Sequence, residues 1–304
     1  MPLRRIIGLG IATLCFAILH AEPRCPGRGP SLRLRLVQGS LPIINIKING
    51  AGPYDFVIDT GAQITTIDSA LASELQLTAA GRTGVSGVGT YFRSPFTYLD
   101  SVEAGGQTVL HSLGVIQEIA QLKAADSHIR GILGENFLAH FDLLIDNRLQ
   151  LLCLDTSKAL AFAVKGERIV LEKPYGSQQD LPFTRPLLVS VHIGLPRSAP
   201  VLLRLDSGSN APLLYVSDTH PASAKREPAL SRDVNGSAQR FDVLPPHDIQ
   251  IGALVVRQVA FVSPQNAADK DPSPREDGLL PTLAFESVFV SYSDGYAVLK
   301  PWAP

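Results

Sequence analysis

The sequence predicts an all-β chain built from two copies of one unit. Three observations carry that expectation. Apolar runs are short and are punctuated by 23 Pro and 25 Gly, which favours many strands and turns over long helices. Several runs alternate apolar and polar residues, the period of a half-buried strand. The chain also holds two stretches of one design, Phe56-Val57-Ile58-Asp59-Thr60-Gly61-Ala62 and Leu203-Arg204-Leu205-Asp206-Ser207-Gly208-Ser209, each an apolar run ending in a carboxylate, a hydroxyl and a glycine.

The two aspartates are separated by 206 − 59 = 147 residues, and other landmarks shift by the same amount. Gly131-Ile132-Leu133-Gly134 begins 72 residues after Asp59, and Gly278-Leu279-Leu280-Pro281 begins 72 residues after Asp206. Ile44, Ile46 and Ile48 shift onto Val191, Ile193 and Leu195, while Leu149, Leu151 and Leu152 shift onto Tyr296, Val298 and Leu299. Self-similarity at a fixed offset signals repeated architecture. Each lobe, drawn at 22–170 and 171–304, is therefore expected to supply one aspartate. The length of 304 residues suits two domains of about 100–200 residues each.

Taken in order, the chain opens with an export pattern over 1–21. Arg4 and Arg5 precede an apolar core from Ile6 to Leu19, and Leu19-His20-Ala21 offers a small residue for cleavage. That core falls short of the roughly 20 residues of a comfortable membrane span, so cleavage is the primary reading and a retained anchor the alternative. A periplasmic or secreted location follows. Cys15 would leave with the signal. Cys25 and Cys153 either bridge in an oxidising compartment or leave Cys153 as a buried thiol within Leu151-Leu152-Cys153-Leu154.

Leu32 to Leu36 and Ile44 to Ile48 alternate as strands, and Asn49-Gly50 forms a turn into the run Tyr54 to Ile58. Asp68 is placed to cap a short helix from Ser69 to about Leu77, with Leu71 and Leu75 on one face. The glycine-rich stretch Gly81 to Tyr91 reads as a mobile hairpin, and it lacks dinucleotide-loop spacing. Leu99 to Ile116 reads as strands, Gly131 to Leu138 as a strand entering a short helix, and Phe141 to Leu154 as a hairpin turning at Asn147. Residues 155–186 lose periodicity and mark the lobe boundary. In the second lobe, Ser217 to Gln239 and Pro264 to Asp277 read as polar surface loops. Asn235-Gly236-Ser237 matches a glycosylation acceptor.

The pattern of chemistry follows from the paired aspartates. Glycines permit tight turns and close backbone approach, and Thr60 and Ser207 supply hydroxyls able to bond across to the partner loop. Two ionised carboxylates about 3 Å apart repel by roughly 5 kcal/mol at an effective dielectric of about 20, equivalent to about four pKa units. The pair then titrates as a unit, with one member ionised over a broad acidic-to-neutral range. A carboxylate beside a carboxylic acid is base and acid together, suited to amide hydrolysis by a bound water.

At Asp59-Thr60-Gly61-Ala62 and Asp206-Ser207-Gly208-Ser209, with their matched downstream segments, the chain resembles the pepsin/retropepsin-like aspartic peptidases, and most closely bacterial exported proteins with both lobes on one chain. The resemblance implies an endopeptidase of two related β-barrel lobes with a cleft between them, and Asp59 and Asp206 catalytic at its floor. It implies that Thr60, Gly61, Ser207 and Gly208 brace the active-site loops and that the Ser209 hydroxyl supports its aspartate from outside. Gly87, Gly89 and Tyr91 fall where a flap closes over an extended peptide or protein substrate. It also implies no cofactor, no metal, and a monomer. Three features depart from the family pattern: Pro281 stands where a glycine is expected, Arg204 shares the strand face of Asp206, and the chain is short for a pepsin-like enzyme.

Other classes fit less well. A net charge of −1 offers nothing to nucleic acid or an anionic surface. Histidines are scattered without zinc-ligand spacing, and no G-x-S-x-G elbow occurs. A two-carboxylate glycosidase would want more aromatics than one Trp and 7% aromatic content. The alternative that keeps the fold is a catalytically inactive, exported binding or inhibitor module.

Overall fold

A computed structural model describes residues 23–26, 29–87, 90–174, 185–194, 199–215, 227–232, 238–265 and 276–303. The export segment, the Asn235 acceptor and Gly89 lie outside the described residues. The described chain is all-β, arranged as two lobes joined by a shared sheet.

In the first half, Leu41–Ile48 and Ala51–Ile58 form the expected hairpin, turning at Asn49 and Gly50 with positive φ at both. The eight-stranded sheet runs Arg35–Val37, Leu41–Ile48, Ala51–Ile58, Ile129–Leu133, Thr65–Asp68, Gln107–Gln117, Thr90–Ala104, Gly81–Gly87. Pairing of Ile48 with Val102 closes it into a barrel. Inward residues of the alternating strands, among them Ile44, Ile46, Phe56, Ile58, Ile67 and Leu99, fill its core.

The second half repeats this order and much of its register. Ile58 opposite Leu133 becomes Leu205 opposite Leu280, and both pairings are parallel. Thr66 lies between Val115 and Ile132, and Leu213 lies between Val262 and Leu279. All of these partners differ by the predicted offset. The long strand Thr90–Ala104 has no unbroken counterpart, since Ala238–Val243 and His247–Ile251 are separated by Leu244-Pro245-Pro246. Proline has no N–H to continue a ladder.

Five expectations about the fold need correction. Leu151 corresponds to Tyr296, not Val298: Asp146 faces Leu151 across one hairpin, and Ser291 faces Tyr296 across the other. Ile44 corresponds to Val189, not Val191: Phe56 faces Ile44, and its counterpart Leu203 faces Val189. The second hairpin is longer by an even number of residues, so its inward face is preserved. Leu32 to Leu36 is not one strand; it splits at Leu34 into Ser31–Arg33 and Arg35–Val37, which join different sheets. Asp68 makes no side-chain cap to the helix Ser69–Glu74, and its carboxylate faces Lys123 at 3.4 Å instead. Part of the loop assigned to Ser217–Gln239 is a hairpin, Glu227–Arg232 with Ala238–Val243, at the edge matching Gly81–Gly87 with Thr90–Ala104.

The third sheet draws on both halves. Asp142–Asp146 pairs antiparallel with Phe285–Ser291, with Leu144 opposite Phe289. Ser31–Arg33 and Leu151–Asp155 extend one side, and Tyr296–Pro301 and Glu167–Val170 the other. The expected hairpin around Asn147 lies here, and its amide donates to the carbonyls of Thr282 and Phe285 in the other half. A Cys25–Cys153 disulfide ties the start of the described chain to this sheet. No helix of the described residues is long and apolar enough to cross a membrane.

Candidate active site

Each aspartate sits where a central strand, hydrogen-bonded on both sides, ends in a turn. Ala51–Ile58 is held between Leu41–Ile48 and Ile129–Leu133, and Val201–Asp206 between Leu188–Ile193 and Gly278–Pro281. In each turn one carboxylate oxygen accepts two backbone amides. Asp59 Oδ1 takes Gly61 N at 2.7 Å and Ala62 N at 3.0 Å, and Asp206 Oδ1 takes Gly208 N at 2.7 Å and Ser209 N at 3.0 Å.

The turns are locked to one another. Thr60 N donates to Ser207 Oγ (3.1 Å) and Ser207 N to Thr60 Oγ1 (3.0 Å). The Thr60 hydroxyl donates to Leu205 O and the Ser207 hydroxyl to Ile58 O, both at 2.8 Å. Four bonds thus cross between the lobes, related by a pseudo-twofold axis, and both hydroxyl residues are buried. The glycines lie under the opposite carboxyl groups. A Cβ on Gly61 would come within 2.4 Å of Asp206 Oδ2, and one on Gly208 within 2.5 Å of Asp59 Cγ.

Asp59 and Asp206 lie close enough for each carboxyl to act on the other. Burial raises both above the ordinary carboxylate range. For Asp206 the nearby Asp59 charge raises it further, while the Gly61 and Ala62 amides hold Asp59 down. Arg204 lowers both. The arrangement can hold one proton between two carboxyls, so one oxygen can accept a proton while another donates one.

Around this centre the lobes differ. Under the first turn, Asn136 Oδ1 accepts Thr65 N and Thr65 Oγ1, and its amide donates to Ser112 Oγ and Leu113 O. Gly134, whose N–H donates to Thr65 Oγ1, admits no Cβ, because Ala62 O would lie 2.8 Å away. In the second lobe the positions matching Thr65 and Gly134 are Pro212 and Pro281, which have no N–H and no polar side chain to satisfy. Pro281 sits in ordinary extended backbone opposite Asp206, so the departure from glycine is accommodated locally.

The sequence reading misplaces one support. The Ser209 hydroxyl donates to Ala211 O at 2.8 Å, and it is the Ser209 amide that holds Asp206. Gly87 lies in the expected hairpin, paired with Thr90, and the Tyr91 backbone pairs with Ser86. The Tyr91 side chain is outside the described residues. Asn136 carries no local signal in the sequence, being one Asn on a four-residue helix. Glu276, which grips Arg204, lay in a stretch read as loop. No group of metal-ligating side chains occurs among the described residues.

Residues 44–137 match a family model described as aspartyl protease. The matched span contains Asp59-Thr60-Gly61-Ala62, the hairpin and Gly131-Ile132-Leu133-Gly134. No curated protein matches the chain.

Proposed function

We propose that the protein is an aspartic endopeptidase in which Asp59 and Asp206 share one proton and activate a water against a peptide carbonyl. The observation that carries this reading is the reciprocal grip of Thr60 and Ser207, which holds two amide-bound carboxyls together at the junction of two lobes. The ionised member takes a proton from water, and the protonated member gives one to the carbonyl oxygen as the carbon becomes tetrahedral. Collapse of that intermediate passes a proton to the leaving amine and restores the pair. Neither step needs a covalent nucleophile.

An extended substrate would lie beneath the hairpin of Gly81–Gly87 and Thr90–Ala104, pairing with it strand-fashion. The 147-residue register supports an internal duplication that supplies both halves of the site on one chain, and hence a monomer. The Cys25–Cys153 disulfide supports an oxidising location, periplasmic or secreted. A binding module on the same fold is the second reading. Its support is that the family match spans only the first copy of the motif.

The test is cleavage of an unstructured protein from about pH 3 to 8, within the range where a shared-proton pair is singly ionised. The reading expects cleavage that Asp59→Asn abolishes in a protein of unchanged circular dichroism. A folded wild type inert towards varied peptides throughout that range would favour the binding module.

A further inference from the structure

The two lobes differ most sharply beside the carboxyl pair. Val57 and Ile129 pack together in a buried apolar cluster of the first lobe. The residues 147 positions on are Arg204 and Glu276, a buried ion pair at 3.0 Å with side chains only 7% and 11% exposed. The other end of the guanidinium crosses to the first lobe, where Nη1 donates to Gly61 O at 2.9 Å. The amide of that same Gly61 holds Asp59.

Burying two charges is expensive, and an apolar pair of similar volume commonly serves stability as well or better. The first lobe shows that this fold accepts the apolar pair at this position. Stability alone therefore gives no reason for the charges, whereas their reach across to the Asp59 turn gives one.

We propose that Arg204 is a positioning residue for the carboxyl pair: clamped by Glu276, it fixes the Gly61 turn from the opposite lobe and favours the singly ionised form of the pair. The consequence for catalysis rests on the aspartic peptidase reading. Asp59, Asp206, Glu135, Glu276, Tyr215 and Tyr292 are the titratable groups that act on this cation or feel its charge. Burial works against the charge on Arg204, but Glu276 and Glu135 outweigh it, so the guanidinium stays charged throughout. Glu276 offsets part of its field, and the pair responds to the balance.

Two variants separate this role from a structural one. Arg204→Val/Glu276→Ile installs the first lobe's own apolar pair and removes the cation. Glu276→Gln keeps a hydrogen-bond acceptor and leaves the cation uncompensated. Carboxyl carbon-13 resonances of labelled aspartate, assigned with Asp59→Asn and Asp206→Asn, report the titration directly. The first ionisation of the pair is expected to rise by about one pH unit in the double variant and to fall in Glu276→Gln. The acidic limb of cleavage should move with it in each.

Loss of packing alone would not move the two variants in opposite directions. A titration unmoved in Glu276→Gln, or moved the same way in both variants, overturns the proposal, whatever the double variant's stability. If the carboxyls move as stated in a protein that cleaves nothing, the positioning role stands and the peptidase reading falls.

Discussion

Removing the Ser207 hydroxyl is the most informative single perturbation of the grip. In Ser207→Ala two buried backbone groups lose their partner, the Thr60 amide and the Ile58 carbonyl, which lie 3.1 and 2.8 Å from Ser207 Oγ. Each stranded buried group costs about 1–3 kcal/mol, so the change should destabilise by about 2–6 kcal/mol. For a protein of this size, about 2 °C in melting temperature per kcal/mol corresponds to a fall of roughly 4–12 °C. Thr60→Val strands the Ser207 amide and the Leu205 carbonyl and should cost a similar amount. The double change should cost less than the sum by about 1 kcal/mol or more, because parting the turns once lets water reach all four groups. Urea unfolding of the four proteins measures this cycle. A Ser207→Ala loss below about 0.5 kcal/mol, or strict additivity, would refute the claim that these bonds lock the lobes.

Three further outcomes follow from the same geometry. Gly208→Ala would drive a methyl into the Asp59 carboxyl, and Gly61→Ala one into Asp206. Each should lower kcat/KM for peptide cleavage by about 100-fold or more while circular dichroism remains native, since misplacement of about 1 Å suffices for that loss. Because burial, and for Asp206 the Asp59 charge, raise both carboxyls in the folded state, the pair's contribution to stability is complete below the unfolded carboxylate range and declines as pH rises through the folded values. Asp206→Asn should therefore raise the unfolding free energy at neutral pH and alter it little near pH 3, as urea titrations at the two pH values would show. The Cys25–Cys153 bridge spans 128 residues, and chain entropy assigns it about 4–5 kcal/mol. Denaturant unfolding with and without reductant should differ by that order.

What was legible in the sequence was periodic or repeated. The strand alternation around Ile44 to Ile48 marks an inward face locally, and the two Asp-hydroxyl-Gly turns declare themselves by shared offset. The hidden features are those made by distant partners. Nothing near Asp142–Asp146 names Phe285–Ser291 as its neighbour, and Leu34 gives no hint that it divides one run between two sheets. The hairpin of Glu227–Arg232 and Ala238–Val243 was hidden by its polar composition, although shifting the glycine-rich hairpin by the offset already lands on it. Ser209 failed for a physical reason: its hydroxyl finds a carbonyl two residues on, a local bond that competes with any longer reach. The sequence places Arg204 as a cation on the face of Asp206, but its partner Glu276 and its contact with Gly61 depend on the fold bringing distant segments together.

The central claim is that Asp59 and Asp206 act as one chemical unit. Its most direct test is kcat for a cleaved peptide in the wild type, Asp59→Asn, Asp206→Asn and the double variant, each confirmed folded. Residues acting as a unit are grossly non-additive, so each single change should abolish nearly as much activity as both together. Should Asp206→Asn keep most of the wild-type rate while Asp59→Asn loses it, the second aspartate is structural and the shared-pair mechanism is contradicted.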